Sequence, residues 1–492
     1  MSTARRTRLT LVSSITGAVI VALDGTVLTV AQPTLGRELD ATYAQVQWTS
    51  TGYLIAVAGL LVFAGRLGDR YGHRRIFAVG VLGFAATSAG IGLAHGIGWV
   101  IALRVAQGVC GALLQPATLG MLRAAYPPDR LGMPIALRTS AIGVAAAAGP
   151  VVGGALVAHL GWRAVFFLNV VPAVAVGVLA LTDRTPEPKR NPDGVRGLDL
   201  PGACLLAVAL MSLVHTLVAL PEGGWTAATW LGLAAVLVVG GAFVRRERRT
   251  ADPLIPAGVL RSTAVSSALG VLVTASAALF GALFVATYYL QDVLGLDPLH
   301  SALRSLPLAV MMVASAPASA VLLRRQGARR TVVAGMVLVV LGVLLMSGLD
   351  RSSSAVATGG CFLLLGAGFG TVMVTATHVI VHQASVDTAG VAGGLQQTAM
   401  NIGPALGVAA ATTLMALAAP DNTTGGGGAG EGPRLAADAF LTAMRPTFAV
   451  LAAVAAVGVV LAARLPGRTA LTRRSPEPPE QAAPAPDPAS RV

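Results

Sequence analysis

About fourteen apolar segments, each long enough to cross a bilayer, follow one another along this chain of 492 residues with short polar loops between them. A span needs roughly 20 predominantly apolar residues, and that repetition constrains the fold more than any other feature. The first six lie near 9–31, 45–65, 76–95, 99–122, 133–158 and 164–182. Two more lie near 201–220 and 226–244, and the last six near 264–290, 302–323, 331–349, 355–380, 389–418 and 440–464. Hydrophobic residues make up 54% of the chain and charged residues 12%, with a mean hydropathy of +0.73. A soluble core that apolar would leave too few polar side chains to cover its surface. The expectation is an all-α integral membrane protein. Its first apolar segment, from Leu9 past Ala31, is too long for a signal-peptide core and is read as a retained span.

The formal charge of +13 is spread in short clusters rather than over one face interleaved with aromatics, which argues against nucleic acid as a partner. Arg5, Arg6 and Arg8 precede the first span; later clusters run from Arg66 to Arg75, Arg184 to Arg196, Arg245 to Arg249, Arg324 to Arg330 and Arg464 to Arg474. The alternate loops carry singles such as Arg37, Arg163, Arg351 and Arg434. By the positive-inside rule both ends face the cytoplasm, which requires an even number of spans. A single lysine, Lys189, among many Arg, Ala, Gly and Val matches a GC-rich bacterial genome, hence a bacterial cytoplasmic (inner) membrane. Cys110, Cys204 and Cys361 lie inside apolar segments without metal-ligand spacing, and no metal or cofactor is called for. The segment Asp421–Gly432 reads as a flexible outer loop, and the Pro- and Ala-rich tail from Ser475 as disordered.

The chain carries an internal repeat. Arg70-Tyr71-Gly72-His73-Arg74-Arg75 after the second span is matched by Arg325-Gln326-Gly327-Ala328-Arg329-Arg330 after the tenth, the glycines being 255 residues apart. Gly149-Pro150-Val151-Val152-Gly153 is echoed by Gly403-Pro404-Ala405-Leu406-Gly407, 254 residues on. Two matches at nearly one offset divide the chain into an N-terminal six-helix half (1–182), a linker and inserted hairpin (183–250), a C-terminal six-helix half (251–465) and a tail (466–492). Parallel six-span halves around a central path are an architecture of secondary transporters.

Gly65-Arg66-Leu67-Gly68-Asp69-Arg70-Tyr71-Gly72-His73-Arg74-Arg75 resembles the cytoplasmic loop signature of the major facilitator superfamily, with His73 as the main departure. Positive-inside bias explains its arginines but not the spacing of its glycines and acid. Gly72 suits a turn at positive φ, and Asp69 is placed to cap a neighbouring helix or to pair with an arginine across the interface of its half. A charge contact made in one conformation and broken in the other would be a latch; in the second half Arg324 stands where Asp69 stands in the first. Gly149-Pro150-Val151-Val152-Gly153-Gly154 resembles the fifth-span signature of the antiporter branches of that superfamily, and ordinary packing of small residues is the plainer reading. Leu23-Asp24-Gly25-Thr26-Val27 through Pro33, Trp162 through Asn169, Leu198 through Gly202 and Gln396-Gln397 through Gly407 resemble the fourteen-span drug:proton antiporter family in order and spacing. One departure is Arg138, where that family often has an aromatic residue. The resemblance implies a major facilitator fold that works as a monomer and exchanges protons for small molecules.

Asp24 is the one carboxylate well inside a core span, and intramembrane acids are functional candidates by default. Arg104, in the fourth span, falls in the same outer half of the membrane and is the natural partner; the two form either a proton-coupling pair or a structural salt bridge. Arg104, Gln107, Gly111 and Gln115 share one helical face and mark a polar stripe along a substrate path. Gln397 and Asn401 are placed to line the facing helix, or to hydrogen-bond between helices. His215 and His378 read as buried neutral residues.

These features predict a proton-coupled exporter of amphipathic drug or antibiotic molecules, working by alternating access with Gly65, Asp69, Arg70, Gly72, Arg74, Gly149, Pro150, Gly153 and Gly154 in the gating elements. A proton-coupled exporter or importer of a metabolite (an amino acid, siderophore or secondary metabolite) is the nearer alternative. No G-x-x-x-x-G-K-[ST] sequence supports a primary pump, and no cluster of carboxylates or histidines supports a membrane-embedded enzyme.

Overall fold

The computed structural model describes residues 3–127, 130–182, 198–250, 252–296, 298–418 and 432–465. Among them every regular element is helical. Six helices come first: α1 (Thr3–Glu38), α2 (Tyr43–Tyr71), α3 (His73–Gly92), α4 (Ile97–Ala125), α5 (Gly132–Leu160) and α6 (Arg163–Thr182). A hairpin of α7 (Leu200–Gly223) and α8 (Ala227–Glu247) follows, then the short α9 (Ala257–Arg261). The second set is α10 (Thr263–Tyr288), α11 (Pro298–Gln326), α12 (Ala328–Met346), α13 (Ala355–Gln383), α14 (Ala389–Ala418) and α15 (Gly432–Ala462). The basic linker over 184–196, the glycine-rich loop over 421–431 and the tail from Ser475 lie outside the described residues.

Twelve of these helices are long and apolar enough to cross a membrane. α5 makes a thirteenth if its segments Gly132–Ala146 and Val151–Leu160, bent by 45°, count as one span. α14 has the length, at 30 residues, but Gln396, Gln397 and Asn401 interrupt its apolar run, and it is not among the helices that meet both conditions. The multi-pass helical architecture holds; the count of fourteen is not confirmed.

The repeat is visible in the packing. α1 packs on α4, α5 and α6, α2 on α4, and α3 on α4 and α6. The second set repeats each pairing: α10 on α13, α14 and α15, α11 on α13, and α12 on α13 and α15. Local chemistry sets the equivalent turns. Gly72 ends α2 at φ 101° and Gly327 precedes α12 at φ 82°, a region that an L side chain strains to enter. Thr42 and Gln45 form a capping box at the start of α2, and Ser262 and Ser354 cap α10 and α13.

The inserted hairpin packs through α7 against α2 and α14, one from each set, so it lies along the seam between them. Asp199 anchors its base: the carboxylate caps α7 through Gly202 N–H and accepts Arg246 Nε at 2.9 Å and Nη2 at 2.8 Å. α8 presents Trp230, Leu231, Leu237 and Val238 outward, an apolar face that lipid covers.

Candidate functional site

Asp24 and Arg104 meet. α1 packs against α4, and Arg104 Nη1, in the first third of α4, lies 2.7 Å from Asp24 Oδ2, with the two side chains 1% and 2% exposed. Neither charge is left to Coulomb attraction alone. Arg104 Nε donates to the Thr49 carbonyl at 2.9 Å, and Nη1 also donates to Gln107 Oε1 at 2.5 Å. Gln107 Nε2 donates to Asp24 Oδ1 at 3.2 Å and to Ser88 Oγ at 2.7 Å. Asn169 of α6 donates to the same Asp24 oxygen at 3.4 Å. The Arg104 guanidinium sits 4.5 Å from the centre of the Tyr53 ring, a cation–π contact. Four helices of the first set, and Thr49 with Tyr53 from α2, thus converge on one buried carboxylate. Burial of an ion pair is tolerated where further hydrogen bonds satisfy both partners, and this one is so supplied.

Ser88, Thr49, Tyr53 and Asn169 are members that sequence reasoning did not pair with Asp24. Ser88 and Asn169 are isolated polar residues in apolar spans, the signal that would have found them. Gln107, expected along a substrate path, is held between Asp24 and Ser88.

At the arginine-rich end of α2, the Asp69 carboxylate accepts Gly390 N–H at 2.7 Å and Val391 N–H at 2.9 Å, the first turn of α14. His73 Nε2 lies 3.3 Å from the same carboxylate. A Cβ at Gly65 would run into the Gly390 carbonyl, so the two backbones touch where only glycine fits. Arg70 lies over the Tyr71 ring at 5.6 Å, and Arg74 is half-buried.

The two glycine–proline stretches make equivalent contacts. A Cβ at Gly149 would strike Thr26 of α1, and one at Gly153 would lie 2.9 Å from Val27. In the second set a Cβ at Gly403 would meet Ser276, and one at Gly407 the Ala277 carbonyl, both on α10. Gly154, by contrast, faces open space. The bend in α5 spans Gly149 and Pro150.

The family model described as Major Facilitator Superfamily matches residues 15–408. The chain belongs to the major facilitator superfamily. It is 43% identical over 411 residues to the tetracenomycin C resistance and export protein of Streptomyces glaucescens, covering 83% of this chain and 76% of that one. It is 33% identical to the puromycin resistance protein of Streptomyces alboniger, covering 82% and 81%. It is 31% identical to a multidrug resistance protein, Stp, of Mycobacterium tuberculosis, covering 83% and 76%. Among solved structures, the human organic anion transporter MFSD10 (TETRAN) shares the fold with a TM-score of 0.64 over 93% of this chain and 99% of that one, at 16% identity.

This major facilitator protein is a transporter, not an enzyme, and its two halves meet unevenly. Among the described residues, the hydrogen bonds between them fall at the arginine-rich end and near mid-helix: Asp69 to α14, Arg123 Nε to the Ala384 carbonyl at 3.2 Å, Ser140 Oγ to the Val313 carbonyl at 3.0 Å, and Gln397 to Gln115. An apolar layer of Leu119, Leu122, Ile135, Ala316, Ala320 and Val374 fills that end. The transporter is closed there. Toward the other end, a cavity of about 440 Å³ lies where α7 meets both halves, lined by residues including Leu54, Val214, Leu217, Phe280, Met400 and Asn401. Asn401 Nδ2 is buried there without a hydrogen-bond partner. His215 is exposed rather than buried, stacked on Trp48 with centroids 5.9 Å apart. His378 is half-buried against His382 at 5.4 Å.

Proposed function

We propose that this transporter exports amphipathic drug- or antibiotic-like molecules across a bacterial cytoplasmic membrane in exchange for protons, as a monomer with both termini inside. The observation that carries the reading is the buried Asp24–Arg104 pair, the one acid–base pair in the body of the first half among the described residues. Resistance and export proteins among the relatives support the direction of transport. The apolar cavity, within the size range of small-molecule sites, supports amphipathic cargo.

In the cycle we infer, residues 1–182 and 251–465 rock against each other, with the Asp69 contact as a latch at the cytoplasmic side. With 2% exposure in the closed-inside conformation, Asp24 exchanges protons with water only once the packing around it opens, which ties protonation to the conformational change. A proton on Asp24 removes the negative charge that holds Arg104, Gln107 and Asn169, and so alters the balance between the two conformations; a ligand shifts such a balance only by its differential affinity for the two states. Return of the proton to the cytoplasm and binding of substrate restore the starting state.

Cells carrying the transporter are expected to survive a panel of antibiotics and dyes better than cells carrying Asp24→Asn, and to lose that advantage on addition of a protonophore. Equal survival of both strains, or protection that a protonophore leaves intact, contradicts the reading.

A further inference from the structure

Arg138 of α5 is 2% exposed, and nothing in the proton-coupling account uses it. Its direction follows from its neighbours. Ile135, one turn before, belongs to the layer shared with Ala316 and Ala320 of α11 and Val374 of α13. Ile142, one turn after, packs against the core of the second half. Residues three and four apart share a helix face, so Arg138 points across the seam into the other half. Across that seam stands Thr375 of α13, fully buried and without a partner for its Oγ1. It is one turn from His378, whose Cδ2 would lie 3.6 Å from a Cβ at Gly132 at the start of α5. Arg138 and Thr375 therefore lie at similar depth on facing helices, just above the layer that closes the arginine-rich end.

Arg138 Nε is buried without a hydrogen-bond partner, and Arg138 enters no ion pair among the described residues. The contrast with Arg104 decides the matter. Arg104 has a carboxylate, an amide oxygen and a backbone carbonyl, and it consumes Asp24. Among the described residues the other acids with buried side chains are engaged elsewhere: Asp69 with α14 at the end of the bundle, and Asp199 with Gly202 and Arg246 at the base of the hairpin. Among the described residues, Arg138 is thus a guanidinium buried between the halves without a counter-charge. A charge at that depth is costly and needs a counter-charge. A guanidinium offers a flat fork of donors that matches a carboxylate.

We propose that Arg138 is a recognition residue of the substrate site and that the cargo is an organic anion, its carboxylate or ionised phenol held by Arg138 with Thr375 donating beside it, and its apolar body extending along the seam. This names the substrate class of the exporter read above and rests on that reading for the direction of movement alone.

The test is equilibrium binding to the purified full chain in lipid nanodiscs, using tritiated anthracene-9-carboxylate and its neutral carboxamide. Wild type is expected to prefer the acid. Arg138→Gln should weaken acid binding about tenfold to a hundredfold and leave the amide unchanged, Arg138→Lys should recover part of the loss, and Thr375→Val should weaken the acid alone. Equal wild-type affinity for acid and amide, binding of neither, or equal loss of both probes in Arg138→Gln and Arg138→Lys would overturn the assignment. Binding is read without a proton gradient, so a failure of antiport leaves this result standing, and the reverse.

Discussion

Asp69 and Gly390 are 321 residues apart in sequence and 2.7 Å apart in space, the carboxylate of one half accepting a first-turn N–H of a helix in the other. The start of a helix leaves its first N–H groups unpaired and partly positive, so an acid brought there by the α2 turn is bound by the helix start itself. The contact joins the halves at the arginine-rich end, and in the proposed cycle it breaks when that end opens.

Asp69→Asn keeps an acceptor oxygen but loses the charge and one of two acceptors. Hydrogen bonds to charged groups contribute about 1.5–3 kcal/mol, enough to move a balanced two-state equilibrium by tenfold or more. Spin labels at the exposed Arg75 and Arg329 should show a longer distance component that is minor in the unsubstituted protein. An unchanged distance distribution argues against a latch.

Gly390→Ala places a Cβ against the Gly65 backbone and Asp69. The end that carries the arginines should then fail to close, with transport falling by about tenfold or more while the amount of protein in the membrane is unchanged. Gly154→Ala is the control: with open space around it, it should transport like the unsubstituted protein.

The pair Asp24 and Arg104 predicts a non-additive result. Arg104→Gln leaves a buried carboxylate without its cation, and removing one partner of a buried pair costs about 3–5 kcal/mol. The melting midpoint in detergent should drop markedly for Arg104→Gln and recover in part when Asp24→Asn is added. Additive losses would mean that the pair does not couple.

Filling the cavity tests the role of the inserted hairpin. Val214→Trp projects a large side chain from α7 among Leu54, Phe280 and Met400. Half-saturating concentrations for bulky substrates should rise at least several-fold, with smaller ones less affected. A uniform effect on all sizes would place substrate elsewhere.

Much of this was legible in the sequence because the bilayer makes spacing informative. The offset between Gly72 and Gly327 anticipates two equivalent turns, both found at positive φ, and the small residues after Gly149 and Gly403 anticipate two equivalent close approaches. Asp24 and Arg104 were paired from depth alone. What spacing does not carry is the partner of a lone polar group: Asn169 reaches Asp24, Ser88 reaches Gln107 and the Thr49 carbonyl reaches Arg104 only because α1, α2, α3, α4 and α6 converge. Asp69 reads in the sequence as a cap or one side of a charge pair; it caps the start of α14, but which helix it reaches is something no side-chain pattern marks. The count of fourteen spans is left unconfirmed by α14, a 30-residue helix whose apolar run Gln396, Gln397 and Asn401 interrupt. Arg138 showed in the sequence only as a departure from a family pattern; its isolation emerges from burial.

The central claim is that Asp24 couples proton entry to export. In inverted vesicles with matched amounts of folded transporter, substrate should trigger collapse of a preformed pH gradient, and Asp24→Asn should abolish that collapse. A substrate-triggered proton flux that persists undiminished in Asp24→Asn would contradict the account.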